Sequence, residues 1–257
     1  MNKDNGIITS AANPAVKRLK SLALKKYRDE EGLFLVEGAR HVGEALAAGW
    51  ELDTVAYSAA AENDPAVKAG KKRLHVTDDL LIRITGRDNT QKLIGAFKQH
   101  WTDMRDIKQG LWVGLENIRD PGNLGTIIRS ADAVAAEGVV LIGDTCDPWS
   151  PEAVRSSVGS FARIKVAKAT PDEFLKWKQG WKGRVIGTHL QTKTDYRSAD
   201  YSLPLLLLMG SEQSGLSPAL TKACDTLVKI PMQGGAESLN LAVATGIMLY
   251  EIRRGRM

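Results

Sequence analysis

Apolar runs of strand length alternate with segments of helical period along the chain. In the first hundred residues the pattern predicts helices in GARHVGEALAAG and DDLLIRITG. Strands are predicted around these helices, at 33–38, 52–58, 73–77 and 92–97. Alternation of this kind is typical of parallel strands that are joined by crossover helices. We therefore expect a small α/β unit at the start of the chain.

The same pattern starts again after a polar, aperiodic stretch at 98–110, which has the character of a linker. Further strands are predicted at 111–117, 138–143, 184–190 and 204–210, and further helices at 123–137 and from about Ser238 to Arg253. The run PLLLLMG is apolar on both faces, as is typical of the middle of a parallel sheet that helices cover. The sequence thus predicts an α/β protein with two domains, 1–105 and 106–257.

Composition narrows the class of protein. Of the 257 residues, 43% are hydrophobic and 25% are charged, which is ordinary for a globular protein and excludes a disordered or fibrous one. Cys146 and Cys224 lie far apart and outside any CxxC or Cys/His pattern, so neither a disulfide framework nor a metal site is expected. The longest apolar runs are too short to span a bilayer, and the N-terminus lacks the apolar core of a signal peptide. We therefore expect a cytoplasmic protein that needs no membrane and no metal.

Basic residues are concentrated in KRLKSLALKKYR (17–28), which contains no acidic residue and is followed by Asp29. A basic helix of this kind is typical of a protein that binds nucleic acid. A solvated face that keeps the protein soluble is the alternative. If the helix binds RNA, contacts with phosphates are expected from Lys17, Arg18, Lys20, Lys25 and Lys26.

Three loops that follow predicted strands are rich in Gly and polar residues. They are ENIRDPGNLG (116–125), MGSEQSGLS (209–217) and IPMQGGAESLN (230–240). Ligands of open parallel sheets bind beyond the carboxyl ends of the strands, so the three loops predict one site. Each loop alone could be turn chemistry, because Gly and Asn adopt positive φ easily. The loops contain no GxGxxG turn, P-loop or GxSxG elbow, which argues against dinucleotide, nucleoside triphosphate and serine hydrolase sites.

The loops and their flanking elements resemble a known family. LENIRDPGNLGTIIRSADAVAAEGVVLIG, LLLMGSEQSGLS and IPMQGGAESLNLAVATGIMLYE are similar, in order and spacing, to the three signature motifs of the SpoU (TrmH-type) RNA ribose 2′-O-methyltransferases of the SPOUT superfamily. DPWSPEAVRSSVGSF is similar to the stretch that follows the first motif in ribosomal RNA members. The resemblance covers residues from about 110 onward. More loosely, the first hundred residues resemble the small L30e-like α/β domain that binds substrate RNA in many members.

This resemblance implies a fold and a cofactor. The parallel-sheet SPOUT domain of the family carries a deep trefoil knot, in which the C-terminal strand-to-helix segment passes through an earlier loop, an exception to the rule against threaded connections. S-adenosyl-L-methionine would lie against the knot. By match to the motifs, the cofactor-binding residues would be Gly210, Glu212, Ile230, Met232, Ser238, Leu239 and Asn240, and the catalytic residues Asn123, Arg129, Glu212, Ser238 and Asn240.

The expected chemistry is methyl transfer to a ribose 2′-hydroxyl, a weak nucleophile whose proton must be taken up or whose developing charge must be stabilised. Family proposals make the arginine at position 129 the general base, but a guanidinium stays protonated in proteins. Electrostatic stabilisation by Arg129 is therefore the favoured hypothesis, and Glu212 is the second candidate for accepting the proton. The alternative readings are structural: Arg129 as a solvated helix arginine, Ser238 as an N-cap and Asn240 as a turn residue.

The resemblance also implies partners. Ribosomal RNA, most specifically 23S, is the expected substrate, because a separate α/β domain precedes the catalytic one; a tRNA 2′-O-methyltransferase and a catalytically weak RNA-binding protein are the alternatives. A homodimer is expected, since family members usually dimerise. One departure from the family lies in SLNLAVA, where Ala242 stands in place of a second serine, so no role of that serine is carried over.

Overall fold

The computed structural model describes residues 6–254; residues 1–5 and 255–257 lie outside it. The helices are α1 (Pro14–Ser21), α2 (Lys25–Glu31), α3 (Ala39–Ala47), α4 (Pro65–Ala69), α5 (Asp78–Thr85), α6 (Pro121–Ala133), α7 (Pro151–Ser156), α8 (Pro171–Gly180), α9 (Pro218–Ala223) and α10 (Leu241–Arg253). The strands are β1 (Leu33–Glu37), β2 (Leu52–Tyr57), β3 (Lys72–His75), β4 (Leu93–Lys98), β5 (Leu111–Glu116), β6 (Gly138–Ile142), β7 (Lys165–Ala169), β8 (Arg184–Thr188), β9 (Leu205–Met209) and β10 (Thr226–Val228). A strand is present at each predicted position.

The chain divides into two compact units. The first consists of residues up to 99 together with 147–162, and the second of residues 100–146 and 163–257. Residues 147–162, which the sequence analysis placed in the second domain, therefore belong to the first unit. The stretch 98–110, which was expected to be a linker, is partly packed onto the second unit. Thr102 donates its backbone N–H to the carbonyl of Val166 at 2.8 Å, and the side chain of Ile107 is buried. That the chain divides functionally near residue 105 stays a prediction.

The first unit contains a mixed four-stranded sheet in the order β1-β4-β2-β3. Strand β4 is antiparallel to both of its neighbours, and only β2 and β3 run parallel. The prediction of parallel strands was wrong for this unit. Strands β1 and β4 are buried on both faces, as in a covered parallel sheet, and burial of a strand does not indicate its direction.

Residues 147–162 contribute aromatic side chains to the core of the first unit. The ring of Trp149 lies 4.8 Å from that of Phe34, and the ring of Phe161 meets Phe34 edge-on at 5.7 Å. Trp50 donates its indole N–H to the carbonyl of Ala162 at 3.0 Å. Aromatic clusters of this kind bury large apolar areas and stabilise a core. This explains why the segment packs there and not with its neighbours in sequence.

A buried ion pair joins the same segment to α2. Arg28 is 3% exposed, and its guanidinium Nη2 lies 2.7 Å from the Asp147 carboxylate. Nη1 of Arg28 also donates to the carbonyls of Leu22 and Ala23, at 2.8 Å each. A buried charge is tolerated only when it is paired and hydrogen-bonded, and here both conditions are met. Arg28, the last cation of the basic segment, is therefore structural.

The second unit contains a six-stranded sheet in the order β10-β8-β9-β5-β6-β7, and every neighbouring pair is parallel. This confirms the predicted parallel-sheet domain. From β5 the chain continues outward to β6 and β7 on one side, whereas β8, β9 and β10 lie on the other side, and from β9 the chain continues outward to β10. The direction of winding thus changes between β5 and β9, and a ligand crevice is expected beyond the carboxyl ends of these two strands. The trefoil knot stays a prediction.

Helix α10 packs along α6 in the second unit. It begins at Leu241, and Asn240 is its N-cap: the side-chain Oδ1 accepts from the backbone N–H groups of Ala242 at 2.9 Å and Val243 at 3.2 Å. The predicted start at Ser238 was wrong, because the side-chain oxygen that satisfies the first free N–H groups of the helix belongs to Asn240.

Among residues 6–254, no helix combines the length and apolarity that crossing a membrane requires.

Candidate active site

A cavity of about 550 Å³ lies beyond the carboxyl ends of β8, β9 and β10. Six of the seven residues that the sequence analysis assigned to the cofactor line it: Gly210, Glu212, Ile230, Met232, Ser238 and Leu239. Asn240, the seventh, does not line it. The wall that follows β8 was not predicted from the sequence; it includes His189, Leu190 and Gln191. The predicted strand at 184–190 could have indicated this wall, but the loop after it lacks the glycines by which the other loops were found.

Three predicted site residues meet in one chain of hydrogen bonds. Asn240 donates from Nδ2 to Oδ1 of Asn123 at 3.0 Å, and Asn123 donates from Nδ2 to Oε1 of Glu212 at 2.9 Å. The three residues come from the N-cap of α10, the first turn of α6 and the loop after β9. Each amide is thereby held in one orientation, and both donate toward the carboxylate of Glu212. The arrangement presents a fixed negative charge beside the cavity.

The loop that carries Glu212 is folded tightly on itself. Ser211 and Gly215 exchange backbone hydrogen bonds at 3.1 and 3.0 Å. A Cβ at Gly210 would lie 2.0 Å from the carbonyl carbon of Gly215, so only glycine fits there. The far end of the loop is tied to β5, because the buried carboxylate of Glu116 accepts from the backbone N–H of Ser217 at 2.8 Å.

A second cavity, of about 450 Å³, is also lined by this loop. It shares Ser211, Glu212, Gln213 and Ser214 with the first cavity. Its remaining lining residues are Asn117, Arg119, Asp120 and Asn123, so every side chain that lines it is polar. Glu212 faces both cavities and is positioned to act between their occupants.

Arg129 lies outside both cavities. It follows Asn123 by six residues, about 9 Å along α6. Asn123, Thr126 and Arg129 are spaced by three residues and follow one stripe of the helix, and Arg129 is exposed although Ile127 and Ile128 beside it are buried. No hydrogen bond or ion pair joins Arg129 to any residue between 6 and 254. The site therefore assembles from Asn123, Glu212 and Asn240 without it.

Cys224 does not supply a reactive thiolate to this site. Burial, together with neighbouring Asp225, raises the pKa of the Cys224 thiol to about 12, and its Sγ donates to the carbonyl of Leu220 at 3.3 Å. A thiol that stays protonated is a poor nucleophile and a poor metal ligand. Within residues 6–254, no cluster of His, Cys, Asp and Glu has the arrangement of a metal site.

The predicted basic helix is in fact two helices, because α1 ends at Ser21 and α2 begins at Lys25. The side chain of Leu22 at this break is fully buried, which bends the chain toward the core of the first unit. Three of the five predicted RNA-binding cations have acidic partners: Arg18 with Glu31 and Asp53, Lys25 with Asp29, and Lys26 with Glu30.

Arg18 is the most firmly held of these cations. Its guanidinium lies 2.5 Å from Glu31 and 2.9 Å from Asp53. Burial works against ionisation of Asp53, but hydrogen bonds from Arg18 and Thr54 outweigh it, so the pKa of the Asp53 carboxyl lies below its ordinary value. Lys17 and Lys20, by contrast, are exposed on α1 and pair with no acid in the described part of the chain.

Comparison with known proteins covers both units. The model of the SpoU rRNA Methylase family matches residues 110–250, and that of the MRM3-like substrate binding domain matches residues 13–95. The crystal structure of an AdoMet-bound rRNA methyltransferase from Sinorhizobium meliloti is similar with a TM-score of 0.92 and 44% identity, over 97% of this chain and 98% of that chain.

Two relatives with named substrates are similar over nearly their full length. The 23S rRNA (uridine(2479)-2′-O)-methyltransferase of Streptomyces viridochromogenes is 32% identical over 95% of this chain and 94% of its own. The 23S rRNA (guanosine(2553)-2′-O)-methyltransferase RlmP of Bacillus subtilis (strain 168) is 30% identical over 96% of this chain and 98% of its own.

Proposed function

We propose that this protein methylates one nucleotide of 23S ribosomal RNA. The chain belongs to the SpoU rRNA methylase family. It is an S-adenosylmethionine-dependent RNA ribose 2′-O-methyltransferase. The observation that carries the proposal is the similarity to two 23S rRNA methyltransferases across both units, not the catalytic unit alone. We also propose that the protein acts in the cytoplasm, where it would meet a ribosomal substrate.

The test is mass spectrometry of ribosomal and transfer RNA fragments from cells with and without the gene. Loss of one ribose methyl group from 23S rRNA is expected. Loss from tRNA would establish the first alternative instead. Unchanged RNA would support a catalytically weak RNA-binding protein, which the intact hydrogen-bond chain from Asn240 to Glu212 disfavours.

The residues of the larger cavity fit S-adenosylmethionine. A volume of about 550 Å³ is ample for a ligand of this size. The side chains of Leu190, Ile230 and Leu239 suit an adenine ring, and Glu212 and Ser238 add polar groups. The cofactor, when bound, supplies a methyl group on a positively charged sulfonium sulfur. The carboxylate of Glu212, which lines the cavity, would favour binding of a ligand with this positive charge.

We infer that Glu212 accepts the proton of the substrate. The ribose 2′-oxygen gains the methyl carbon and gives its proton to a base, and the Glu212 carboxylate lies on the wall between the two cavities. Asn123 and Asn240 act as positioning residues, since their linked amides hold the carboxylate in place. This arrangement favours Glu212 over Arg129 as the group next to the reacting oxygen.

Arg129 is proposed to act on the RNA from the exposed stripe of α6. RNA is much larger than either cavity, so a cation outside them can still contact a phosphate next to the reacting ribose. A guanidinium held there stabilises the negative charge that develops on the 2′-oxygen and needs no change of protonation.

Replacing Gly210 with alanine should lower the affinity for S-adenosylmethionine roughly ten- to a hundredfold. The added methyl group would meet the backbone of Gly215, and overpacking of this kind costs about 1–3 kcal/mol. Calorimetry on the full chain measures the change. Gly234→Ala is the matched control, because a Cβ at Gly234 meets no atom within 4 Å. Equal affinities for the two variants would contradict the tight-loop explanation.

We propose that the first unit binds RNA through α1. Lys17→Gln with Lys20→Gln should weaken binding of ribosomal RNA and make it less dependent on salt, because each lost phosphate contact lowers the slope of log K against log salt by about 0.7–0.9. Lys71→Gln with Lys92→Gln is the control, since these lysines pair with Glu51 and Asp78. Filter binding between low and physiological salt measures both. Identical slopes for the two double variants would remove α1 from the RNA interface.

A homodimer is proposed on the exposed face of α10. Val243 and Tyr250, which are 53% and 52% exposed, are seven residues apart and so lie on one side of this helix. Tyr250→Glu should shift a dimer toward monomer in sedimentation velocity, because the interface would bury a charge. Leu24→Glu, at an exposed apolar position of the first unit, should leave the dimer intact. A Tyr250→Glu variant that sediments like the wild type would exclude this face.

A further inference from the structure

The second cavity differs in chemistry from the first, although the two share one loop. No apolar side chain lines it, whereas the first is lined by several leucine, isoleucine and methionine side chains. Its volume of about 450 Å³ suits a single nucleotide. Methyl transfer requires the methyl donor and the acceptor to lie side by side. The two cavities meet this requirement, because residues 211–214 line both of them.

Arg119 supplies the positive charge of this cavity. It is the one cation among its lining residues, and its side chain is 64% exposed. Its partner is Asp144, at 2.6 Å, whose side chain is 77% exposed. Ion pairs this exposed are weak, so an RNA phosphate can replace the carboxylate of Asp144 on Arg119.

The position of Asp144 is fixed by the neighbouring loop. Asn117 has a φ of 52°, and its side-chain Oδ1 accepts from the backbone N–H of Asp144 at 2.9 Å. Gly143 has a φ of 78°, and a Cβ there would lie 2.5 Å from the same oxygen. A non-glycine residue with positive φ is costly and persists only where its surroundings hold it. The loops after β5 and β6 are thus locked together, with Asp144 held at Arg119.

Gln213 offers an amide for recognition of a base. It is exposed, lines the cavity together with Arg119, and makes no side-chain hydrogen bond within residues 6–254. A free glutamine amide can donate and accept at once, which is how proteins contact the edges of unpaired RNA bases.

We propose that the second cavity receives the target ribonucleotide, turned out of the RNA, with a phosphate on Arg119 in place of Asp144 and the base edge on Gln213. The ribose then lies at Asn123 and Glu212, next to the cofactor cavity. Enzymes that modify nucleotides within folded RNA extrude the target in this way. The proposal rests on the proposed function, because it assumes an RNA acceptor.

The first experiment measures nucleotide binding without catalysis. The four ribonucleoside 3′-monophosphates are added to the full-length protein with S-adenosylhomocysteine, and binding is followed by saturation-transfer NMR. Arg119→Ala should abolish the signal. Asp144→Asn should strengthen binding, since it frees Arg119. Gln213→Ala should keep binding but even out the preference among the four bases.

Arg184→Ala is the matched control. Arg184 also forms an exposed ion pair, with Asp200 at 2.9 Å, but it lies at the amino end of β8, away from both cavities. Nucleotide binding by Arg119→Ala equal to that of Arg184→Ala would overturn the assignment. So would weaker binding by Asp144→Asn than by the wild type.

The second experiment measures methyl transfer to ribosomal RNA from cells that lack the gene. Arg119→Ala should raise KM for the RNA roughly ten- to a hundredfold, the value of a lost charged hydrogen bond, while kcat and the cofactor Kd stay within about twofold. An unchanged KM would overturn the assignment while leaving the proposed function standing. If the wild type binds mononucleotides through Arg119 but leaves ribosomal RNA unmethylated, the proposed substrate fails and the cavity assignment stands.

Discussion

Replacing Glu212 with glutamine is expected to slow methyl transfer roughly a hundred- to ten-thousandfold, the usual contribution of a positioned general base. Glutamine keeps the length of the side chain and can still accept the N–H of Asn123 through its own Oε1, so the loop should keep its structure. What it loses is the capacity to take the proton of the 2′-hydroxyl. Single-turnover transfer of labelled methyl groups to ribosomal RNA from cells that lack the gene measures the chemical step.

Glu237→Gln is the control for Glu212→Gln. Glu237 lines the same cavity and loses the same charge, but it makes no hydrogen bond to Asn123 or Asn240. Its variant should transfer methyl groups within about twofold of the wild-type rate. If both variants are equally fast, Glu212 does not accept the proton. If both are equally slow, the effect comes from loss of negative charge near the sulfonium and not from proton transfer.

Replacing Arg129 with alanine is expected to lower kcat about a hundredfold or more, as removal of one group that stabilises an oxyanion commonly does. Affinity for S-adenosylmethionine should be almost unchanged, because Arg129 lines neither cavity. Loss in kcat without loss in ground-state binding is the mark of an interaction made in the transition state. Single-turnover kinetics and calorimetry separate the two quantities, and near-normal rates would reduce Arg129 to a solvated helix arginine.

Arg129→Lys distinguishes two ways in which the arginine could act. Lysine keeps the charge but lacks the planar fork of five donors. Partial recovery of the rate over Arg129→Ala would favour simple electrostatic stabilisation, and no recovery would favour bidentate contact with a phosphate. Arg184→Ala should have the wild-type rate, because Arg184 is an exposed arginine at the amino end of β8, away from both cavities.

The parallel sheet of the second unit could be predicted because its central strands are apolar on both faces. The run 204–210 became β9, which pairs with β5 on one side and β8 on the other. A strand that helices cover on both faces needs apolar residues at consecutive positions. Such a run can be recognised from the sequence of the strand alone. In the first unit the same pattern predicted the wrong strand direction, because β4 is equally buried but antiparallel to its neighbours.

Residues 147–162 show a second limit. The sequence did not show which unit these residues join, because Trp149 and Phe161 could pack into any apolar core. The Arg28–Asp147 pair spans 119 positions, and neither residue has a local feature that reveals the other. Likewise, the basic composition of 17–28 did not show that Arg18 is held by Glu31 and Asp53.

The sequence by itself determined three of the four loops that line the cavities, since three Gly-rich loops after strands resemble the family motifs, whereas the loop after β8 was found only from the structure. Only the tertiary structure decided how these loops meet. Asn123 contacts Glu212 across 89 positions and Asn240 across 117, and Arg119 meets Asp144 at the edge of a second cavity. Secondary-structure propensity and hydrophobic periodicity depend on residues that are close together in the sequence. Contacts between loops depend instead on the order of the strands in the sheet. That order reverses between β5 and β9, which is where the site lies.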